Sequence, residues 1–372
     1  MTQVPMARRV AQALLVLCAL LLLWLAVTCD GQWFDRHIFW PQQFFIPADR
    51  RIITAFRAGV IFGALFLLLL LWFVPRGAAA LRILVALAIA IPAGELIIEW
   101  KLHHLIRRDL INAMDSLTSV DPRYGVTLKP SMDRTEVMSG RSVRTITDAE
   151  RRRISGTRID PALPSLVFTG ESTMLGHGLD YSETFTAILA VRLHLQSVNL
   201  SSMAYRTDQS WLRLKDALPG LQHPVAVVGI FMPGLVGRAF AGQRHPLARP
   251  SAPGGVELHA PEPPGLLEKS GFYRMWKHLY WPAEALDEGL ASNAAVLRDI
   301  AALAKARDIP CIFVVTGQTP QWMLQELFQG LDYVVVDLPQ SELLAEGHPN
   351  AQGALRIANA LEPRLRAAIA PH

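Results

Sequence analysis

The segment Ser165–Leu179 reads SLVFTGESTMLGHGL and decides the fold of the second half of the chain. Its first five residues form an apolar run that ends in a glycine turn, as a buried strand does before a helix. Ser172 follows this strand closely. Because an open parallel sheet binds its ligands beyond the carboxyl ends of its strands, Ser172 stands where such a sheet presents reactive groups. A helix cap is the alternative interpretation, since serine commonly caps helices.

Four further apolar runs follow, and segments with helical spacing of apolar residues separate them. The five predicted strands are Ser165–Thr169, Ser197–Leu200, Val225–Phe231, Cys311–Val315 and Tyr333–Asp337. An amphipathic pattern over Ala351–Ile369 predicts a closing helix. This alternation predicts an α/β fold, a flavodoxin-like, doubly wound, five-stranded parallel sheet.

A second reactive candidate lies near the C-terminus, in the stretch EGHPNAQG. His348 stands between the last predicted strand and the closing helix, at the same edge of the sheet as Ser172. A serine becomes a useful nucleophile only when a base takes its proton and a third group orients that base. Ser172, His348 and Glu346 can fill these three roles. A loop histidine beside a turn is the alternative for His348, and the loop of His177 offers no orienting carboxylate.

Several short motifs resemble those of one enzyme family. GES at Gly170–Ser172 resembles the GDS block of the SGNH (GDSL-type) hydrolases, and VNLSSMAYRTDQ at Val198–Gln209 resembles their second block. EGHPNAQG resembles their final Asp-His block, and DPRYGVTLKP at Asp121–Pro130 resembles a segment of membrane-anchored bacterial members. The resemblance implies that Ser172 is the nucleophile and His348 the base. It also implies that the backbone N–H groups of Ser172 and Ala204 line the oxyanion hole.

Three departures from the family pattern concern the same site. The acid beside the serine is Glu171 instead of Asp, and Ala345 stands where many members place the triad Asp, so Glu346 must serve. Pro233 stands where the third block supplies an Asn to the oxyanion hole. A proline offers no donor there, and one missing oxyanion donor costs about 10²–10³ in rate.

The front of the chain carries an excess of apolar residues. Of 372 residues, 51% are hydrophobic and 18% charged, whereas about a quarter are charged in a typical soluble domain. Apolar runs at 10–28 and 58–74, and a weaker run at 83–98, predict three transmembrane helices, because a crossing needs about 20 apolar residues. Buried soluble helices are the alternative. Arg8 and Arg9 before the first run favour an uncleaved anchor with a cytoplasmic N-terminus.

These patterns divide the chain into three predicted regions. Residues 1–100 form a membrane anchor, 101–160 a linker with the Asp121–Pro130 motif, and 161–372 the SGNH-like domain with an insertion at 233–282. Three cysteines exclude a disulfide framework, and a net charge of +4 spread along the chain gives little support to nucleic-acid binding. No metal or nucleotide motif is present, and we expect no cofactor and no metal site.

The expected function is that of a membrane-anchored serine esterase or O-acyltransferase, which acts on an acyl ester, chiefly acetyl, of a cell-envelope glycan or lipid. The expected location is the inner (plasma) membrane, multi-pass, with the C-terminal domain extracytoplasmic. The expected partners are the lipid bilayer, the acylated substrate and a membrane-bound acyl-donor protein, but no nucleic acid. The alternative is a catalytically degenerate SGNH-like module that binds a glycan or a partner membrane protein, which Pro233 and Ala345 favour.

Overall fold

A computed structural model describes residues 6–28, 50–73, 116–138, 140–238, 247–251, 255–259, 282–317 and 319–370, with isolated positions at 93, 96, 266–267 and 270. The chain divides into two compact units. One comprises Met1–Asp109 with Pro264–Glu284, and the other comprises Leu110–Pro263 with Ala285–His372.

The first unit contains two helices that pack against each other, α1 (Met6–Thr28) and α2 (Arg50–Phe73). Ala19 and Ala64 are fully buried, and their small side chains let the two helices approach closely. Arg57 Nε donates a hydrogen bond to the Ala26 carbonyl at 2.7 Å, which ties the start of α2 to the end of α1.

These two helices overlap the first two predicted membrane spans, whereas 83–98 lies almost entirely outside the described residues. Large apolar side chains are exposed on both helices: Leu14, Leu17, Leu20, Leu21, Trp24, Phe62, Leu65, Phe66 and Leu69. Across the described ranges, we find no helix with both the length and the hydropathy that a bilayer crossing requires.

The second unit is built on an eight-stranded mixed sheet. Its strands are β3 (Asp133–Met138), β4 (Arg141–Thr147), β5 (Arg153–Ile154), β6 (Ser165–Thr169), β7 (Gln196–Asn199), β8 (Pro224–Phe231), β11 (Cys311–Thr316) and β12 (Asp332–Val336). Two separate antiparallel hairpins accompany the sheet, β1 (Thr118–Asp121) with β2 (Gly125–Leu128), and β9 (Leu247–Ser251) with β10 (Gly255–His259). The spatial order in the sheet is β12-β11-β8-β6-β7-β5-β4-β3.

The five predicted strands all form, and they pair in parallel in the flavodoxin-like order. The predicted five-stranded parallel sheet is nevertheless wrong in extent and type, because β3, β4 and β5 add three antiparallel strands beyond β7. In β4, the residues Val143, Thr145 and Thr147 are buried while their neighbours are more exposed. Such alternation of buried and exposed residues is typical of antiparallel strands, and it lacks the continuous apolar run by which most of the parallel strands were predicted.

Helices cover the sheet. They are α3 (Ser172–Leu175), α4 (Phe185–Leu193), α5 (Thr207–Ala217), α6 (Gly234–Arg238), α7 (Pro282–Lys305), α8 (Gln321–Leu327) and α9 (Ala351–Ile369), with short 3₁₀ turns at Tyr181–Glu183, Leu218–Gly220 and Gln340–Glu342. The predicted bounds of the closing helix are confirmed.

The core lies on both faces of the parallel strands. Leu166 and Phe168 of β6 pack into one apolar cluster with residues of α4 and α9, and both are fully buried. Their neighbour Thr169 points to the other face, where its hydroxyl donates to the Ser210 carbonyl of α5 at 2.7 Å. Burial of each large apolar side chain contributes about 1.5–3 kcal/mol, so this two-faced packing fixes the register of β6.

The order of the parallel strands changes direction between β6 and β8, where Thr169 lies opposite Gly229. Helical crossovers diverge at such a switch point and leave a crevice beyond the strand ends. The turn after β6 carries Ser172, and the turn after β8 carries Pro233. The topology therefore places both of these residues at the ligand-binding edge of the sheet.

The segment between β1 and β2 is fixed to α5. Asp121 Oδ1 accepts from the backbone N–H groups of Arg123 and Tyr124 at 2.9 Å each, and Gly125 adopts a φ of +78° to complete the turn. Gln209 Nε2 donates to the Tyr124 carbonyl at 2.6 Å. Asp216 of α5 accepts from both the Arg123 guanidinium and the Tyr124 hydroxyl, the latter at 2.7 Å.

Candidate active site

The turn between β6 and α3 needs a glycine at its first position. A Cβ on Gly170 would lie 2.3 Å from Ile230 Cγ2 and 2.7 Å from Met174 Cβ, which no packing tolerates. Glu171 is the N-cap of α3, because its carboxylate accepts from the Thr173 N–H at 2.9 Å. The cap interpretation of Ser172 is therefore wrong: Glu171 caps the helix, and Ser172 is its first residue.

The structure brings Ser172 and His348 together. His348 Nε2 lies 2.8 Å from Ser172 Oγ, within hydrogen-bond distance. The two residues are 176 positions apart in the sequence and meet because both follow parallel strands at the same edge of the sheet. Acyl-transfer chemistry by a serine requires a contact of this kind between the hydroxyl and a base.

Local hydrogen bonds position His348. The Leu344 N–H donates to the His348 carbonyl at 2.7 Å across a tight turn that contains Gly347 at φ +90°. Asn350 then caps α9 by accepting from the N–H groups of its second and third residues, at 2.9 and 3.1 Å. A Cβ on Gly353 would lie 2.5 Å from the Glu342 carbonyl oxygen. The stretch GHPNAQG therefore presents the histidine through backbone geometry that these residue types favour.

The Ser172 hydroxyl also contacts the residue before it. Ser172 Oγ donates to Glu171 Oε2 at 2.5 Å, and Glu171 is only 1% exposed. A hydroxyl has one hydrogen, so Ser172 cannot donate to both Glu171 and His348 at once. The two contacts therefore compete for the serine proton.

Glu346 lies between two histidines. Its Oε1 is 4.0 Å from His177 Nε2, and one ligand-type atom from each of His177, Glu346 and His348 lies within 4.8 Å of the others. The structure thus brings Glu346 near both His348 and a second histidine, His177. The side chain of Glu346 is 34% exposed.

His177 belongs to this cluster, although no carboxylate adjoins it in sequence. Its ring packs on the His348 ring with centroids 4.7 Å apart. Burial, followed by the adjacent His348, lowers the pKa of His177 to about 4, so the ring is neutral at pH 7. Gly176 and Gly178 flank it with φ of +79° and +77°. These two glycines are the sequence signal that could have indicated a tightly held histidine.

Arg153 of β5 holds the loop that carries His177. Its Nη1 donates to the carbonyls of Leu175 and Gly176 at 2.8 and 2.7 Å, and its Nη2 donates to the Leu179 carbonyl. Burial lowers the pKa of Arg153 to about 10, which leaves the guanidinium charged at pH 7. This residue lies outside every motif recognised in the sequence, and it acts through the loop backbone.

The candidate oxyanion positions lie at the neighbouring strand ends. Asn199 Nδ2 at the end of β7 donates to the Met174 carbonyl of α3 at 3.0 Å, so the loop after β7 starts beside Ser172. Ala204 in that loop has a φ of +56°, the left-handed conformation that favours glycine. Pro233 is buried after β8 and carries no side-chain donor.

No protein-family model and no curated protein matches the chain. Similar solved structures include a G-D-S-L family protein from Desulfitobacterium hafniense DCB-2, at 12% identity over 54% of this chain and 98% of that chain, with a TM-score of 0.33. A carbohydrate esterase family 2 enzyme from Corynascus thermopiles (Myceliophthora fergusii), with its carbohydrate-binding domain, is 13% identical over 58% of this chain and 69% of that chain, with a TM-score of 0.34. The SGNH-hydrolase family esterase AlinE4 is 16% identical over 58% of this chain and 100% of that chain, with a TM-score of 0.31.

These structural neighbours are SGNH and G-D-S-L hydrolases, the family that the sequence motifs resemble. At 12–16% identity the similarity concerns the fold. The chemistry has to be inferred from the geometry of the site itself.

Proposed function

We propose that this protein is a serine ester hydrolase of the SGNH type, with Ser172 as nucleophile and His348 as general base. The observation that carries the proposal is the 2.8 Å contact between Ser172 Oγ and His348 Nε2 at the switch point of the sheet. A buried serine, a histidine within hydrogen-bond distance and a nearby carboxylate are the parts of a catalytic triad.

In the proposed reaction, His348 Nε2 takes the Ser172 proton while Oγ attacks the ester carbonyl carbon. The tetrahedral oxyanion that forms accepts hydrogen bonds from the backbone N–H groups of Ser172 and Ala204. His348 then returns its proton to the leaving alcohol, and an acyl-Ser172 ester remains. Water, deprotonated by His348, hydrolyses this ester and releases the carboxylic acid.

Glu346 is proposed to orient His348 and to stabilise its cationic form, which its place within 4.8 Å of the ring supports. Pro233 leaves the oxyanion hole with backbone donors alone. Because one missing donor costs about 10²–10³ in rate, we expect turnover well below that of a complete family member. Substitution of Pro233 by Asn is expected to raise the acylation rate.

A labelling experiment tests the proposal. A fluorophosphonate probe should label the wild type and fail to label Ser172→Ala. Ser202→Ala is the matched control, because Ser202 is a buried serine on the neighbouring loop whose hydroxyl makes no hydrogen bond within the described part of the chain. Labelling that persists in Ser172→Ala would move the nucleophile elsewhere.

We further propose that the acyl group, chiefly acetyl, is carried by a cell-envelope glycan or lipid, and that the chain is attached to the membrane with its C-terminal domain outside the cytoplasm. The exposed apolar side chains of α1 and α2 support attachment to an apolar phase. Transfer to a sugar hydroxyl differs from hydrolysis only in the acceptor of the acyl-Ser172 ester. Flotation with liposomes, in comparison with a chain that starts at residue 110, tests the attachment.

A non-catalytic SGNH-like module is the second candidate function. Two observations favour it. Pro233 stands at the proposed oxyanion position, and the Ser172 hydroxyl donates a hydrogen bond to Glu171 at 2.5 Å. Two results together would support this candidate over the esterase. The folded wild type would neither react with the probe nor cleave any of several acetyl esters, and Pro233→Asn would do neither as well.

A further inference from the structure

Three side chains of types that can ligate a metal ion converge from two loops beside Ser172. His177 comes from the loop after α3, and Glu346 and His348 come from the loop before α9. One ligand-type atom of each lies within 4.8 Å of the other two, and His177 Nε2 is 4.0 Å from Glu346 Oε1. Sequence reasoning predicted no metal site, because His177 lies far along the chain from the other two residues.

The chemistry of this set selects a class of ion. Two imidazoles and one carboxylate are the ligands of catalytic zinc sites, which keep a fourth position open. Mg²⁺ and Ca²⁺ prefer sites made of oxygen atoms, so imidazoles disfavour them. With zinc–ligand bonds of about 2.1 Å, tetrahedral ligands lie about 3.4 Å apart. The three side chains therefore need to close by about 1 Å to hold such an ion.

Two features of the cluster suit that closure. The loop of His177 is fixed by the left-handed glycines on either side of it and by hydrogen bonds from Arg153 to the loop backbone. His177 is therefore the ligand that is fixed in place. The side chain of Glu346 is 34% exposed, so an ion can reach the cluster from solvent.

We propose that His177, Glu346 and His348 bind a zinc-like divalent transition-metal ion that inhibits the chemistry of Ser172. The inhibitory part rests on the proposed function. The binding part stands on the cluster alone.

Either mode of coordination through His348 disables the base. If the metal takes Nε2, it displaces the hydrogen bond to Ser172 Oγ. If the metal takes Nδ1, the ring proton must lie on Nε2, and that nitrogen then donates to Ser172 and cannot accept its proton. A bound ion also occupies the carboxylate that would stabilise the imidazolium. The site thus links metal availability to esterase activity.

Isothermal titration of the full chain with ZnCl₂ after EDTA treatment and dialysis tests the binding part. We expect one zinc ion per wild-type chain and no heat from MgCl₂. His177→Gln and, separately, Glu346→Ala should each weaken zinc binding by about 100-fold or more, since even partners outside the ligand set change metal affinity by about 10–100-fold. His223→Gln, which alters an exposed histidine elsewhere, is the matched control and should bind as the wild type does.

Fluorophosphonate labelling with and without zinc, compared within each variant, tests the inhibitory part. Zinc should block labelling of the wild type, EDTA should restore it, and zinc should have little effect on His177→Gln. No zinc binding, or equal binding by His177→Gln and Glu346→Ala, would overturn the site. Labelling that zinc leaves unchanged or increases would overturn the inhibitory role.

The two proposals fail in different ways. Zinc binding that depends on His177, in a wild type that the probe never labels, would reject the esterase and keep the metal site. Labelling of Ser172 in a chain that binds no zinc would reject the metal site and keep the esterase.

Discussion

Glu171 accepts a hydrogen bond from the Ser172 hydroxyl at 2.5 Å while His348 Nε2 lies 2.8 Å from the same oxygen. As long as the single hydroxyl hydrogen points to Glu171, the contact with His348 requires an Nε2–H donor, and such a nitrogen cannot act as a base. Attack by Ser172 therefore requires the hydrogen to turn from Glu171 to His348. The carboxylate of Glu171 thus opposes the proposed chemistry of Ser172 as long as it holds the hydroxyl hydrogen.

Glu171→Gln is expected to speed acylation about tenfold, because a hydrogen bond to a charged group is worth about 1.5 kcal/mol and that difference is tenfold in rate. The glutamine oxygen can still cap α3, while its NH₂ group donates to Ser172 Oγ and leaves the hydroxyl hydrogen for His348. Single-turnover acylation by an acetyl ester measures the change. Glu326→Gln on the exposed side of α8 is the control. Slower acylation in Glu171→Gln would instead mean that Glu171 assists the attack.

Ser172→Ala and His348→Ala should each lower kcat/KM for a chromogenic acetyl ester by about 10⁴ or more. Because nucleophile and base act as a unit, the double variant should lose little more than either single variant. Circular dichroism should show that all three variants keep the wild-type fold. Additive losses in the double variant would indicate that the two residues act independently.

The parts of this molecule that could be predicted from sequence are those in which local chemistry dictates local structure. Continuous apolar runs such as Val225–Phe231 and Cys311–Val315 identified most of the parallel strands, because a strand buried on both faces needs them. The position of Ser172 followed from its place after such a strand. A Cβ on Gly170 would lie 2.3 Å from Ile230 Cγ2, and one on Gly353 would lie 2.5 Å from the Glu342 carbonyl oxygen. Only glycine fits at these two positions, which is why short motifs indicate the site.

The features that could not be predicted depend on tertiary contacts. Strands β3–β5 are short or half-exposed and rich in charge, so the linker pattern of 101–160 gave no sign of sheet. The approach of Glu346 to His177 joins two loops that are distant in sequence. Arg153 is a buried arginine that follows the half-buried Arg151 and Arg152, and only the fold distinguishes it from them.

Glu346→Gln should lower the acylation rate by between about 10- and 10⁴-fold, the upper figure being the loss when a triad carboxylate becomes an amide. The carboxylate favours the imidazolium form of His348 that develops during attack, and the amide does not. Substrate binding should change little, so the loss should appear in kcat and not in KM. An unchanged acylation rate would remove Glu346 from the triad and leave its contact with His177 as its main role.

Ala204→Gly is expected to stabilise the protein by about 1 kcal/mol. Ala204 has a φ of +56°, and the left-handed conformation costs an L-residue with a Cβ about 1 kcal/mol that glycine avoids. The midpoint of urea unfolding measures the gain. Ala360→Gly in the interior of α9 is the matched control and should lose about 1 kcal/mol, because glycine is unfavourable within a helix. If both variants lose stability, Ala204 is not strained.

Asp216→Asn should destabilise the protein by at most about 1 kcal/mol at pH 7, since its partner Arg123 is solvent-screened. Burial acts to raise the pKa of Asp216, but hydrogen bonds from Arg123 and Tyr124 hold that pKa below its usual range. A carboxylate with a lowered pKa contributes its stability above its unfolded pKa, near 4, and loses it as the pH falls through the folded value. The difference between wild type and variant should therefore be full at pH 7 and shrink below about pH 4. Urea unfolding at pH 7, 5 and 3 measures this difference in the free energy of unfolding. A difference that stays constant down to pH 3 would show that the charge of Asp216 plays no part in fixing the segment between β1 and β2.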